Sequence, residues 1–537
     1  MRLRTRLGDA ALLLGAVAIA GFAARRGINP HDEGLMLAAA DRIVHGQLPW
    51  RDFWWNYGPA EPFLLAGLQE LFGRSLLVWR IVHVLVAALS ALLAYRLVRR
   101  EAPVPLALVA WLTVAAALSY PLIPNPVGSA LLLALAGIAI APRRPALAGV
   151  CAGLALAFRL DVGAAAVLAV VLACWRPRSP ASGLVANPRS GASTRATGLR
   201  ALLVAAATAL LVYLPLAIVV GGGRLLDQTV GFALSEQSLQ RLPLPFDGGG
   251  TDDLNKAFEH LFPTFLLAGF ALWIVVACLR WARGAGPPRG LALAALPLAL
   301  AGALYVLARA DEFHVVLLAS SLPLLAASLL ATELDEPRVG WLAVGATALV
   351  LALPLAYGLD RKGVQLLHPP QLATIHVDAA DGVRTQPAEA RALAALVRRV
   401  RMLTKPGEPV FVANPRHDLV RAGNPLVSVL IDRPNPTRYP IMQPGVVTTR
   451  GVQEQIVREL RDADTRLVVR WRSPVADERE PNGAGRSNGV RVLDRYLADH
   501  YYSAKRLGDY ELLLATSAPG SARKQQRCPD RPQRAGC

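Results

Sequence analysis

Eleven apolar blocks, separated by short polar segments, occupy the first two thirds of the chain. They fall at roughly 7–24, 76–95, 102–120, 127–141, 145–158, 162–175, 201–220, 261–279, 290–308, 313–332 and 339–357. Blocks of this length read as helices crossing a bilayer, where the backbone must satisfy its own hydrogen bonds. No other feature limits the possible folds as strongly. Several blocks fall short of the ~20 residues that a perpendicular crossing needs. The pair 145–158 and 162–175 also reads as one interrupted helix.

The formal net charge is +18, nearly all of it from arginine. A nucleic-acid partner is set aside, because much of this charge lies between spans. Arg2, Arg4, Arg6, Arg96, Arg99, Arg100, Arg143, Arg144, Arg176, Arg178, Arg280, Arg283, Arg289 and Arg338 fall in alternate loops, and the loops between them hold fewer. This is the asymmetry that the positive-inside rule describes. It predicts a multi-pass plasma-membrane protein (the inner membrane in a bacterium) with a cytoplasmic N-terminus. Segment 25–75 and, with eleven spans, the C-terminal region are then extracytoplasmic. The basic, then apolar N-terminus also fits a cleaved signal peptide, with Ala18, Ala20 and Ala23 near a cleavage site, but the continuing spans favour an uncleaved anchor. Of the five cysteines, Cys151, Cys174 and Cys278 read as small core residues. Cys528 and Cys537 could pair if exported or stay unpaired in the tail.

Residues 1–357 are expected to form the membrane unit, with long outer loops at 25–75 and 221–260. Within the first loop, Leu35, Ala38, Ala39 and Ile43 recur at helical spacing, which suits a helix lying along the membrane interface. The aromatic run from Trp50 to Tyr57 suits the same level as a belt. The inner segment 176–200 is rich in Ser, Pro and Gly and reads as a linker. From about 360, strand-like runs at Pro409–Ala413, Leu426–Ile431, Arg466–Trp471 and Tyr510–Ala515 alternate with helical patterns at 387–402, 451–463 and 491–502. That alternation predicts an extracytoplasmic α/β domain within 358–518, followed by a disordered tail at 519–537.

Four polar groupings carry candidate chemistry. Asp32-Glu33, in Asn29-Pro30-His31-Asp32-Glu33-Gly34, has a bland reading as an acidic helix cap. Its functional reading makes Asp32 a general base and Glu33 a second polar, catalytic or metal-facing group. Arg51 and Asp52 sit in the aromatic run, where a charged pair adds nothing to a belt. Arginine there could grip a phosphate, and the Tyr57 ring could pack on a sugar. The short loop Arg309-Ala310-Asp311-Glu312-Phe313-His314 holds more ionisable groups than a turn needs. Either these are snorkelling ends and a cap, or Arg309 and His314 hold an anionic headgroup with Asp311 orienting the histidine. Arg159-Leu160-Asp161 reads as a self-satisfied ion pair or as a ligand site. No zinc spacing, phosphate loop or nucleophile elbow is present in the sequence.

The order of Asp32-Glu33-Gly34, then Arg42-Ile43-x-x-Gly46-x-x-Pro49-Trp50-Arg51-Asp52-Phe53, then Gly58-Pro59 and Phe72-Gly73, resembles the polytopic GT-C glycosyltransferases. The similar branch contains protein O-mannosyltransferases and lipid A aminoarabinose transferases. The Arg309–His314 loop, Asp432-Arg433-Pro434-Asn435-Pro436-Thr437-Arg438 and Gly508-Asp509-Tyr510 extend the likeness. The resemblance implies an α-helical polytopic fold of about eleven transmembrane helices with an extracytoplasmic domain. It also implies a polyprenyl-phosphate sugar donor reached through membrane lipid, and transfer with inversion to a glycan, lipid or protein acceptor. By analogy Asp32 is the base and Arg309 the leading phosphate ligand, with Arg51 or Arg159 second. Some GT-C relatives use a divalent metal, but no ligand set here demands one and no cofactor is named. Asp227, Glu236, Asp252 and Asp253 in the second outer loop match no acceptor motif. A transporter or flippase of a lipid-linked saccharide, or a non-catalytic envelope assembly factor, stays open as an alternative.

Overall fold

A computed structural model describes residues 2–119, 126–175, 189–235, 237–247, 249–335 and 340–516. Arg176, Arg178, Glu236, Arg338 and the tail 519–537 with Cys528 and Cys537 lie outside the described residues. So does most of the linker 176–200, whose described part is helical.

Each apolar block is a helix. These are α1 (Arg2–Gly21), α4 (Leu76–Val98), α5 (Val104–Leu118), α6 (Pro126–Ile140), α7 (Pro145–Phe158), α8 (Leu160–Cys174), α9 (Arg189–Val220), α10 (Leu254–Arg280), α11 (Gly290–Ala308), α12 (Val316–Asp335) and α13 (Trp341–Leu367). Two further helices, α2 (Asp32–Val44) and α3 (Ala60–Phe72), lie in the first polar loop. Six of the apolar helices are long and apolar enough to cross a membrane, and the four from α5 to α8 are shorter. The chain is a multi-pass membrane protein. The interrupted-helix alternative for 145–175 does not hold: Arg159 is extended (φ −155°, ψ 123°) and α8 folds back on α7.

Small residues set the spacing of the bundle. A Cβ at Gly149 or Gly153 on α7 would lie 2.4 or 2.6 Å from the carbonyl oxygen of Ala201 or Ala205 on α9. Without a hydrophobic drive inside lipid, such close backbone approach is what holds helices together.

Beyond α13 come a two-residue pair, β1 (Ala373–Thr374) and β2 (Arg384–Thr385), then α14 (Pro387–Leu403), β3 (Val410–Ala413), α15 (Leu426–Ile431), α16 (Arg450–Asp462), β4 (Leu467–Trp471), α17 (Val492–His500), β5 (Tyr501–Leu507) and β6 (Tyr510–Ala515). The four-stranded sheet has the order β3-β4-β6-β5, parallel between β3 and β4 and antiparallel elsewhere. Val410 and Val412 share a core with α14 and α15, whereas Phe411 and Ala413 pack with α16 and α17. The sheet is therefore covered on both faces.

Four expectations change. Leu426–Ile431 is a helix rather than a strand: all six residues are buried, so no polar face reveals the period, and length alone favoured a strand. The helix pattern at 491–502 ends at His500, and Tyr501 opens an edge strand. The aromatic run is not a lipid-facing belt. Trp50, Phe53 and Trp55 are fully buried in one core with Val410, Leu467, Val469 and Leu512 of the sheet. Likewise α2 is buried continuously from Glu33 to Ala40 and packs on α3 and α15, a sandwiched helix rather than one with a lipid face.

Candidate functional site

The first loop is fastened to both neighbours by charged side chains. Glu33 turns inward onto Arg80 of α4, which donates from Nε to Oε1 (2.6 Å) and from Nη2 to Oε2 (2.7 Å). Arg80 also donates to the carbonyls of Ala24 (3.0 Å) and Gly27 (2.9 Å), so the chain leaving α1 is pinned to α4. On the other flank, Arg74 pairs with Asp41 and with Asp432, and Arg42 Nη2 donates to the Thr437 carbonyl at 2.7 Å. Arg42 is half-buried, and desolvation of its guanidinium pushes it down to about 10. The stretch Asp432–Arg438, singled out in the sequence, is thus a docking strip for the first loop.

Asp32 does the opposite of Glu33 and lines a cavity. Its backbone N–H donates to Asn29 Oδ1 (2.9 Å), and Asn29 Nδ2 donates back to Asp32 Oδ2 (3.3 Å). Asp32 and Glu33 do stand in the first turn of α2, as the cap reading expects, and Glu33 Oε2 accepts from the Asn29 N–H at 3.3 Å, although His31 at the N-cap makes no side-chain cap bond. Gly34 fits only because it lacks a Cβ, which would stand 2.3 Å from the Leu426 backbone nitrogen. His31 Nδ1 accepts from the Gly423 N–H at 3.3 Å, which brings 421–427 against the start of α2.

The cavity has a volume of about 960 Å³, and Asp32, Tyr57, Arg159, Arg309, Asp311 and His314 all line it. Arg159 lies 4.5 Å from the Tyr305 ring centre and 5.5 Å from that of Tyr57, with Nε donating to Asp161 Oδ1 at 2.9 Å. Arg309 Nε donates to Asp311 Oδ2 (2.6 Å), and Nη2 donates to Glu480 Oε1 (2.8 Å). His314 Nδ1 meets Asp311 Oδ1 at 2.6 Å, and its ring centre stands 4.3 Å from that of Tyr305. Burial pushes the Asp311 carboxyl up, but His314 and Arg309 outweigh it and hold it down at about 2. The aspartate therefore fixes the histidine with Nδ1 engaged, leaving Nε2 as the ring nitrogen open to a ligand.

Other candidates stand elsewhere. Arg51 and Asp52 do not line the cavity; they pair with each other at 2.8 Å, and Asp52 also accepts from the Leu48 N–H at 2.7 Å, closing a turn. Asp161 supports Arg159 from behind the wall. Asp227 and Asp252 do not line the cavity, and Asp253 caps α10 by accepting from Asn255 and Lys256. Among the described residues no group of three or more His, Cys, Asp or Glu could hold a metal ion.

Several site residues escaped the sequence reading. Arg80 had a signal, an ionisable side chain inside an apolar block. Glu480 had none: it joins Arg309 to Arg421 across the cavity, with Arg421 Nε donating to it at 2.6 Å. Burial raises the Glu480 carboxyl, and the two guanidiniums more than reverse this.

A polytopic helical bundle, a mixed-sheet region after the last apolar helix and a polar cavity between them make up the architecture that can be compared with solved structures. The particular likeness is to ArnT from Cupriavidus metallidurans, in crystal structures bound to undecaprenyl phosphate and in the apo state. The TM-score is 0.52 for both at 15% sequence identity, over 96% and 95% of this chain and 99% and 98% of those chains. The archaeal oligosaccharyltransferase AglB from Archaeoglobus fulgidus, in complex with an inhibitory peptide and a dolichol-phosphate, aligns over 96% of this chain and 75% of its own at 13% identity, with a TM-score of 0.47. No family model and no curated protein sequence matches the chain. At such identity the ArnT likeness establishes the fold.

Proposed function

We propose that the protein transfers a sugar from a polyprenyl-phosphate donor to an acceptor on the outer side of the plasma membrane, with inversion. The carrying observation is the contrast between two neighbouring carboxylates. Glu33 is buried and matched by Arg80, whereas Asp32 opens on the cavity, with Asn29 its one side-chain hydrogen-bond partner among the described residues. Asp32 is then free to take the acceptor hydroxyl's proton as the acceptor oxygen attacks the anomeric carbon. The bond from that carbon to the phosphate oxygen breaks on the opposite side. A positioned base contributes about 10²–10⁴-fold. Holding donor and acceptor together, and cations facing the departing phosphate, must supply the remainder.

Tyr57, Arg159 and Tyr305 stack as a ring–guanidinium–ring shelf that suits the flat face of a sugar or the charge of its phosphate. His314 Nε2 is a further donor toward the same space. Glu33 acts through position, by fixing the turn that aims Asp32. The ArnT structure containing undecaprenyl phosphate supports the donor class, and the loops assigned to the outer side by their arginine content all reach this one cavity.

The test is purified protein in lipid supplied with labelled polyprenyl-phosphate sugars. Asp32→Asn is expected to abolish transfer while prenyl-phosphate binding persists. Equal transfer by the variant overturns the base, and a reporter fused near residue 60 that reads cytoplasmic overturns the topology.

A further inference from the structure

Outside the cavity, α14 is anchored at both ends and open along one side. It follows Arg384, whose N–H donates to the Arg25 carbonyl at 2.8 Å, just past the end of α1. At its far end Arg433 donates from Nε to Thr404 Oγ1 (2.9 Å) and from Nη2 to the Thr404 carbonyl (3.1 Å). The neighbouring Asp432 pairs with Arg74, two residues before α4. Leu393, Leu396, Val397 and Val400 pack inward on the sheet core. The helix therefore lies across the ends of α1 and α4 and does not stand upright on them.

Its outward side is basic. Arg391, Arg398 and Met402 fall at i, i+7 and i+11, one side of a helix, and Lys405 stands just past the same end. All four are exposed, Met402 at 68%. Among the described residues these three cations form no ion pair. Arg401, turned toward the bundle, does: it donates to Asp378 at 2.9 Å.

The bilayer surface is marked beside this stripe. Ile81, Leu85 and Leu89 make an exposed apolar side of α4, which lipid covers. That side begins near Leu77, and a Cβ on Gly382 would lie 3.2 Å from Leu77 Cδ2. The 378–382 segment thus rests on the end of the span, and Arg401 ties α14 to that segment. Leu71 and Phe72, at the end of α3 and a few residues before α4, are 76% and 64% exposed. Apolar side chains left open at this level belong at the boundary between acyl chains and headgroups. The cations of α14 then stand at headgroup height.

We propose that Arg391, Arg398 and Lys405, with Met402 among them, form a seat for anionic phospholipid headgroups in the leaflet at the Leu76 end of α4. Guanidinium forks match the oxygens of a lipid phosphate, and a headgroup without an amine leaves its charge unopposed. Met402 reaches toward the glycerol and upper acyl carbons. A soluble polyanion would have no use for Met402 or for the apolar flank at Leu71 and Phe72. Gln386, the residue before α14, lines the cavity, so lipid beneath the helix steadies the cavity wall from outside. The seat does not depend on the transferase reading.

The test attaches a fluorescent dye through Met402→Cys in a full-length chain whose five native cysteines are changed to alanine. The protein is placed in nanodiscs of phosphatidylcholine, some of it carrying a nitroxide on its headgroup, with or without phosphatidylglycerol. Quenching is expected in both, and about twofold stronger with phosphatidylglycerol. Changing Arg391, Arg398 and Lys405 together to Gln should remove that gain, and Arg391→Lys with Arg398→Lys should keep most of it. Arg458→Gln with Arg495→Gln, exposed cations of α16 and α17, should leave it whole. Without phosphatidylglycerol the Gln variant should melt with the wild type, which separates lost binding from lost folding. Added phosphatidylglycerol should raise the melting temperature of the wild type more than that of the variant. Absence of quenching in either lipid puts α14 off the membrane and overturns the seat. So does equal quenching with and without phosphatidylglycerol, or a gain that survives the three Gln changes. Polyphosphate that binds the stripe and is not displaced by phosphatidylglycerol would make a soluble polymer the partner instead.

Discussion

Arg80 closes on both carboxylate oxygens of Glu33, at 2.6 and 2.7 Å, with neither side chain open to solvent. Removing one member of such a pair strands the other charge, at a cost of about 3–5 kcal/mol. Glu33→Ala is therefore expected to lose stability of that order in denaturant unfolding of the detergent-solubilised protein. The double change Glu33→Leu with Arg80→Met should lose less than Glu33→Ala alone. A loss below about 1 kcal/mol for the single change would contradict the pairing.

Gly34 governs how 421–427 seats against α2. In Gly34→Ala the new methyl meets the Leu426 backbone, which cannot yield as a side chain tip would. Overpacking of this kind costs about 1–3 kcal/mol. The expected outcome is a lower melting temperature together with reduced transfer, because the displaced segment carries the Gly423 contact to His31. Unchanged melting would show that the two segments separate freely.

The Asp311 cluster sets an acid limit. Its folded carboxyl is depressed from the ordinary 3.8 to about 2. A depressed carboxyl contributes stability that is complete above the unfolded pKa and is lost as pH falls through the folded one. The contribution is on the order of 2 kcal/mol and disappears between about pH 4 and about pH 2. Unfolding of Asp311→Asn, compared with wild type across that window, should show a flatter pH dependence. Parallel curves would remove Asp311 from the account.

Arg51 and Asp52 serve a surface turn away from the cavity. Arg51→Gln is expected to leave the rate of sugar transfer within about twofold, as surface changes away from special features usually do. A tenfold loss in a steady-state assay would return Arg51 to the site.

The membrane half was legible because each apolar block declares its own helix. Asp32, Arg159, Arg309 and His314 were found because charge at the edge of a span is conspicuous. What stayed hidden depends on distant pairing. Trp50 and Trp55 look like a lipid belt until the sheet that covers them is seen. Leu426–Ile431 has no polar face to betray its period. Glu480 looks like any surface acid until Arg309, 171 residues earlier, is beside it.

The contact between His31 and Gly423 spans 392 residues. A ribosome making this chain releases the Asp32 segment long before the segment that walls it in. During that interval Trp50, Phe53 and Trp55 have no sheet to cover them. Maturation is then expected to proceed in two stages, insertion first and closure of the cavity last. A chain cut after α13 should reach the membrane and stay there, holding all its helices and no enclosed chamber.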